Sequence, residues 1–213
     1  MTVVDDPAPS FSAALRAATW ADHQRAEQAP YIRALVAGEL DVEGYARMVD
    51  QHWHIYRELE AASATMQADP VAGAFVTPEL LRLSALEADL AALRGPGWAA
   101  GSEPLPATTA YCERLREVAH DWPGGFVAHH YTRYLGDLSG GQFIGRVVRR
   151  HHDLGDAGTA FYRFDGIDDP AAYRAAYRDR LDAAAWDPGE QARIIDEIGV
   201  AYALNTAVFD DLS

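Results

Sequence analysis

The stretch 131-YTRYLGDLSGGQFIG-145 sets one acid, Asp137, among Gly136, Gly140, Gly141 and Gly145, with Arg133 one helical turn earlier. The surrounding sequence reads as helix, and a glycine inside a helix costs about 1 kcal/mol relative to alanine. Four of them cost roughly 4 kcal/mol on that scale, so another interaction must offset the loss. Gly136 and Gly140 are four residues apart, as are Gly141 and Gly145, which puts each pair on one helix face. Bare backbone admits a close neighbour: a helix at a tight crossing, the inside of a bend, or a flat ligand. A membrane-spanning G-x-x-x-G dimer is excluded, because Arg133, Asp137 and Arg146 interrupt the apolar run. Asp137 either pairs with Arg133 on the surface, a weak contact, or faces the same opening as the glycines and orders water there. The spacing admits both.

The elements that must hold this segment are helical. Apolar residues recur at three- and four-residue intervals almost throughout, and no run alternates as a strand does. The expected helices lie near 11–28, 31–37, 42–68, 78–93, 105–120, 124–152, 170–184 and 189–212. Thr77-Pro78, Asp169-Pro170 and Asp187-Pro188 each place a capping side chain before a proline at the first helical position. Glu190 stands where a capping box would use it. Ile194, Ile195, Ile198, Tyr202, Asn205, Phe209 and Leu212 mark a long amphipathic C-terminal helix. The stretch 95-GPGWAAGSEPLP-106 reads as a surface loop, too short to separate domains. The fold class is therefore all-α: an N-terminal tail over 1–10, then a single multihelical domain over 11–213 that is not a simple up-and-down bundle.

Composition narrows the function. Hydrophobic residues make up 49% and charged residues 23% of the 213, which gives a folded rather than a disordered chain. A formal net charge of −14 excludes a nucleic-acid binder, which needs a basic face. All 18 basic residues are arginines, so any site that needs a cation must use one. The only cysteine, Cys112, rules out an internal disulfide and covalent haem attachment through C-x-x-C-H. The acidic start MTVVDDPAPS has no signal-peptide pattern, and no apolar run is long enough for a membrane span. These features lead us to expect a soluble protein of the reducing cytoplasm, with no membrane partner.

YTRYLGDLSGGQ resembles the distal-helix motif of the haem oxygenase (heme oxygenase) family. The segment 15-LRAATWADHQRAEQAPYI-32 resembles that family's proximal helix. The runs 51-QHWHIYRELE-60 and 173-YRAAYRDRLDAAAWDPGEQARIIDEIGVAYALNTAVFDDL-212 follow in the family's order, so the likeness covers the chain from about residue 11. It implies haem b held between two helices, with His23 as the iron ligand. Glu27, four residues on and on the same face, can take a hydrogen bond from the ring and keep it a neutral imidazole. The resemblance puts Arg16, Tyr131, Arg174 and Arg178 at the propionates, and Arg174 and Arg178 share one helix face. Relatives often carry lysine at the first and third of these positions. Arginine keeps the charge and adds a fork of donors.

On the other side of the haem, the resemblance implies that Gly136 and Gly140 let backbone lie against the porphyrin. Asp137, with Arg133 and Tyr56, would hold waters beside the iron, and Asn205 and Tyr202 would line the pocket wall. The implied reaction consumes O2 and electrons from an external reductase or ferredoxin-type donor, since no flavin or nicotinamide motif occurs. Haem, both cofactor and substrate, is cleaved at the α-meso carbon to biliverdin, carbon monoxide and ferrous iron. A neutral histidine favours that outcome because it pushes less electron density onto iron than a thiolate does.

The same residues allow a haem carrier or sensor without turnover, although such a protein has no need of Asp137. A di-iron carboxylate protein would need two Glu-x-x-His motifs, and Glu117-Val-Ala-His120 is the only one. A hydrolase on the related thiamine-degrading fold would need a catalytic cysteine, and Cys112 reads as packing. His52, His54, His129, His130, His151 and His152 form pairs that do not chelate well, and none is given a role.

Overall fold

Capping chemistry sets most of the boundaries in the computed structural model, which describes residues 9–154 and 156–213. Helix α1 (Phe11–Glu27) starts at Ser10, whose Oγ accepts from the Ala13 amide at 3.4 Å. Ser10 thus belongs to the fold, while residues 1–8 of the expected tail lie outside the described residues. Helix α2 spans Pro30–Ala37, and α3 (Val42–Met66) is capped by Asp41, which accepts from Gly44 at 2.7 Å. After α4 (Leu83–Arg94), α5 (Pro106–Val118), α6 (Pro123–His130) and α7 (Gln142–His152) come α8 (Pro170–Ala183) and α9 (Pro188–Leu212). Asp169 and Asp187 cap the last two as expected, accepting from Ala171 and Glu190, each at 2.9 Å. Among the described residues there is no strand, and no helix is long and apolar enough to cross a membrane.

Three local expectations change. The helix expected over 78–93 is split into a 3₁₀ turn, Pro78–Leu80, and α4. Thr77 caps neither. Its hydroxyl bonds Tyr173 at 2.6 Å, and Glu60 of α3 caps α4 from across the core, accepting from Arg82 at 2.5 Å and Leu83 at 2.8 Å. A tertiary carboxylate has replaced the local cap. Glu190 does not complete a capping box either, because its carboxylate accepts from the Trp122 indole and from Arg193. The helix expected over 124–152 is continuous, but its middle is wound as two π-helical turns, Tyr131–Leu135 and Asp137–Gly141. π turns inside α-helices concentrate at functional sites, and these contain Gly140 and Gly141 and flank Gly136.

The elements around that segment fix it from three sides. At the end of α6, His129 Nε2 donates to Glu197 of α9 at 2.9 Å, and Glu197 also accepts from Arg114 of α5 at 2.9 and 2.6 Å. The next residue, His130, bonds the Tyr177 hydroxyl of α8 at 2.9 Å. Adjacent histidines thus tie the helix to opposite neighbours. From the third side, buried Asp89 of α4 accepts from the amides of Ala160 and Phe161 at 2.7 and 2.8 Å. This fixes the 3₁₀ turn Ala160–Tyr162. A Cβ added to Gly145 would stand 2.8 Å from Tyr162 Cβ, and one on Gly141 3.1 Å from its ring. This pair of glycines is there for close packing.

The Glu197 clamp gives a pH prediction. Burial alone would raise this carboxyl, but His129 and Arg114 lower it from the ordinary 4.5 to about 2. A depressed carboxyl stabilises the fold above its unfolded value and loses that contribution as pH falls, here between about 4.5 and 2. Glu197→Gln should therefore cost about 2 kcal/mol at neutral pH. It should also flatten the acid limb of stability against pH, read by urea unfolding from neutrality down to the acid limit of folding. An unchanged acid limb would show that the clamp is not a charged one.

Candidate functional site

His23 stands on α1 facing the π-helical segment. Its ring stacks under Trp20 (centroids 5.4 Å, planes 9° apart) and meets Tyr202 of α9 edge-on at 5.9 Å. Nδ1 is buried and lacks a hydrogen bond in the protein, while Glu27 Oε2 is 3.6 Å away. That distance is beyond a direct bond but within reach of a small rotation. With Nδ1 directed at Glu27, Nε2 is the nitrogen left to bind a metal.

Between His23 and the segment lies a cavity of about 810 Å³, including its part open to solvent. This is the size of a small-molecule site. His23, Glu27, Arg133, Gly136, Asp137, Gly140, Tyr202 and Asn205 all border it. A Cβ added to Gly136 or Gly140 would meet nothing within 4 Å, in contrast to Gly141 and Gly145. The four glycines therefore divide: one pair packs on Tyr162, and the other leaves a bare wall.

The cavity continues into a second one of about 630 Å³ that shares His23, Gly136 and Tyr202 and adds Arg16, Tyr131 and Arg178. Arg178 Nε is buried there without a partner. On the other side, Ile32, Val36, Phe143 and Ile144 extend the space along an apolar edge, where Phe143 is 49% exposed. The slot is thus cationic at one edge, apolar at the other and bare along one wall. Such a space suits a flat amphiphile that carries its anionic groups on one side, and His23 is placed to bind a metal at its centre.

Above the bare wall lies a hydrogen-bonded acid. Tyr56 of α3, fully buried, donates to Asp137 Oδ2. Burial holds the Asp137 carboxyl above the usual carboxylate range, against the charge of Arg133 and the Tyr56 bond. Burial and the nearby carboxylate push the Tyr56 hydroxyl well up, so it stays protonated as a donor. Arg133 makes no ion pair with Asp137 within 4.0 Å among the described residues. Its Nη1 donates to Asn205 Oδ1 at 2.5 Å, its guanidinium lies 5.0 Å from the Tyr56 ring centre, and Nε and Nη2 are buried and unpartnered. The surface pairing of Arg133 with Asp137 is thereby excluded, and both face the interior.

Arg174 alone among the expected ligands borders neither cavity. Its Nη1 donates to the Leu138 carbonyl at 2.7 Å, within the second π turn. The guanidinium thus secures the distal backbone. Trp20, Tyr162 and His52 are among the residues that border the slot and were given no role in the sequence reading. A signal for His52 did exist, since Met48, His52 and Tyr56 follow at four-residue spacing on one face of α3.

Comparison with known proteins supplies the family. The family model described as heme oxygenase matches residues 9–211. The chain is 34% identical to heme oxygenase 1 of Synechocystis sp. over 203 residues, 95% of this chain and 85% of that one. It is 36% identical to heme oxygenase 1 of Rattus norvegicus over 212 residues, 98% of this chain and 73% of that one. The crystal structure of the Synechocystis heme oxygenase-1, in complex with heme, superposes with a TM-score of 0.91 at 34% identity, covering 96% of this chain and 93% of that one. Heme oxygenase from Leptospira interrogans superposes at 0.89 with 32% identity, covering 94% and 98%. With an all-helical fold, a histidine facing a bare glycine wall and a family match from residue 9 to residue 211, this chain belongs to the haem oxygenase family.

Proposed function

We propose that the chain binds haem b in the slot and cleaves it oxidatively at the α-meso carbon, giving biliverdin, carbon monoxide and ferrous iron. The observation that carries this reading is the open wall at Gly136 and Gly140 directly across from His23. His23 Nε2 would hold the iron, with Glu27 orienting the ring through Nδ1. Arg16, Tyr131 and Arg178 would receive the propionates, while Arg174 acts on the distal backbone through Leu138. The apolar edge at Ile32, Phe143 and Ile144 would take the porphyrin's hydrocarbon rim.

Bound haem supplies the iron at which O2 is activated and is itself the molecule oxidised, with electrons from an external reductase or ferredoxin-type donor in the cytoplasm. The protein's role is positional and protonic. Asp137, held by Tyr56 and raised by burial, can take up and release a proton close to neutrality more readily than an exposed carboxylate. Arg133 and Asn205, bonded to each other, fix the polar end of the cavity. Bare backbone on the glycine wall leaves room for a small second ligand only where no side chain projects. A carrier or sensor would need the slot but not this acid.

Hemin titration with visible spectroscopy, followed by turnover under air with a reductant, tests the reading. The protein should give a Soret band that decays to a bilin absorbance with carbon monoxide release, and His23→Ala should weaken the band strongly. A stable Soret band without bilin would leave a haem carrier. Asp137→Asn should still bind hemin but make biliverdin about 10²-fold more slowly, the usual size of a lost proton-transfer group. A normal rate in that variant would remove Asp137 from the mechanism. The division of the glycines has its own check in thermal unfolding of hemin-free protein. Gly136→Ala should stabilise by up to about 1 kcal/mol while impairing hemin binding, whereas Gly145→Ala should destabilise by about 1–3 kcal/mol. Shifts of the same sign would show that the two pairs do not differ.

A further inference from the structure

The hydrogen bond expected to orient His23 is not closed, yet the ring has a defined plane. The torsion that turns an imidazole about its Cβ–Cγ bond is broad and roughly two-fold, so packing must choose that plane. Glu27 does not choose it. Its Oε2 lies 3.6 Å from Nδ1, too far for a direct bond, and its side chain is 62% exposed. Among the described residues, two aromatic rings meet His23: Tyr202 of α9 edge-on, and Trp20 nearly parallel, with the planes 9° apart. Packing does not call for an indole at position 20. Trp20 is 53% exposed, a large apolar ring left mostly in water. Ala17, Ala18 and Ala21 beside it are small and exposed, so the local helix surface asks for nothing of that size. Helical geometry explains the contact with His23. Side chains lean toward the N-terminus of their helix, so a ring at 23 falls over the turn that carries residue 20. The same lean brings Glu27 back toward Nδ1. The two partners therefore reach different parts of one ring, Trp20 its face and Glu27 its nitrogen edge.

We infer that Trp20 is a positioning residue whose indole sets the plane of the His23 ring, and so the direction of Nε2 into the slot. The division of labour follows from the two-fold torsion. A carboxylate at Nδ1 distinguishes the ring from the same ring turned by half a rotation, because only one of them presents Nδ1 to it. A loose contact of this kind says little about smaller rotations. A flat neighbour does the reverse: it accepts either half-turn and resists a tilt of the plane. An offset aromatic pair favours its stacked arrangement by about two- to tenfold. Tyr202, meeting the ring edge-on, limits the same tilt from α9. Trp20 also borders the cavity that holds Arg16 and Arg178, so a ligand seated at that edge would meet the indole as well.

The inference rests on the haem reading for its use, and its test separates the two. In hemin-free protein, proton NMR should show nuclear Overhauser contacts between the His23 ring and the Trp20 indole. In hemin-loaded ferric protein with cyanide added, the spread of the porphyrin ring-methyl resonances reports the plane of the ligating imidazole. Trp20→Ala should change that spread and speed hemin transfer to excess apomyoglobin by about two- to tenfold. Trp20→Phe should restore the wild-type spread. Trp20→Leu, which has bulk but no flat face, should not. The hemin-free variants should unfold at the wild-type temperature, since the indole is mostly exposed. Absent Overhauser contacts, a spread unchanged in Trp20→Ala, or one restored equally by leucine would overturn the inference. Should Trp20→Ala fail to fold, the comparison of phenylalanine with leucine decides. Should hemin fail to bind the wild-type protein, the haem reading falls while the Overhauser contacts still judge the stack.

Discussion

The fold depends on keeping one strip of helix backbone bare. A helix wall without side chains is a weak element: it loses propensity at every glycine and offers nothing to pack on its open face. The molecule compensates by holding the same segment firmly on its other faces. Gly145 accepts Tyr162 at a distance no Cβ would allow and Gly141 at one that leaves a Cβ little room, and Asp89 fixes the turn that carries Tyr162. His129 and His130 tie the preceding turn to α9 and α8, and Arg174 binds the Leu138 carbonyl. The π turns fit this picture, because a widened helix leaves carbonyls for outside donors to satisfy. The open face is open because the rest is fixed.

Electrostatics follow the same division. A chain with a net charge of −14 and no lysine must gather cations where it needs them. It places Arg16 and Arg178 at one edge of the slot and buries Arg133 in the lining of the central cavity, which Asp137 also borders. A buried charge is tolerated only with partners. Arg133 has Asn205, the Tyr56 ring and the field of Asp137. Burial alone would weaken its protonation, but these neighbours raise it, so it stays charged. Asp137 feels the same burial in the opposite sense and is held higher than an exposed acid. One enclosed site thus keeps a permanent cation beside a group that can change protonation.

The sequence was legible where local chemistry decides. Asp169 and Asp187 cap their helices because cap and proline are adjacent in the chain, and the glycine pairs fall on separate faces as their spacing requires. It was illegible where distant residues intervene. Glu60 caps α4 from α3 and displaces Thr77, and Trp122 draws Glu190 away from a capping box. Neither exchange leaves a trace in local spacing. The resemblance pointed to His23, Glu27, Asp137, Arg133, Tyr202 and Asn205, which do meet around one cavity. It set Arg174 at the ligand's edge, whereas its hydrogen bond runs to a carbonyl. His52 was set aside as one of several paired histidines, since only its three-dimensional neighbours show that neither nitrogen is bonded.

The polar inventory of the cavity also sets donors apart from acceptors. Arg133 offers only donors, and its Nε and Nη2 remain free after Nη1 binds Asn205. The acceptors on the same lining are Glu27, Thr132, Tyr162, Tyr202 and Asn205, beside Asp137, which already takes one bond from Tyr56. No direct hydrogen bond joins Arg133 Nε or Nη2 to any of them. A ligand or water that spans such a gap accepts from the donor side and turns its own protons toward the carboxylates. Direction matters for the proposed chemistry, because an acid that is to release a proton must be able to regain one along an oriented path. The bare wall at Gly136 and Gly140 leaves that path open to the ligand. The same two constraints, absent side chains on one wall and unbalanced donors behind it, shape the space and order what fills it.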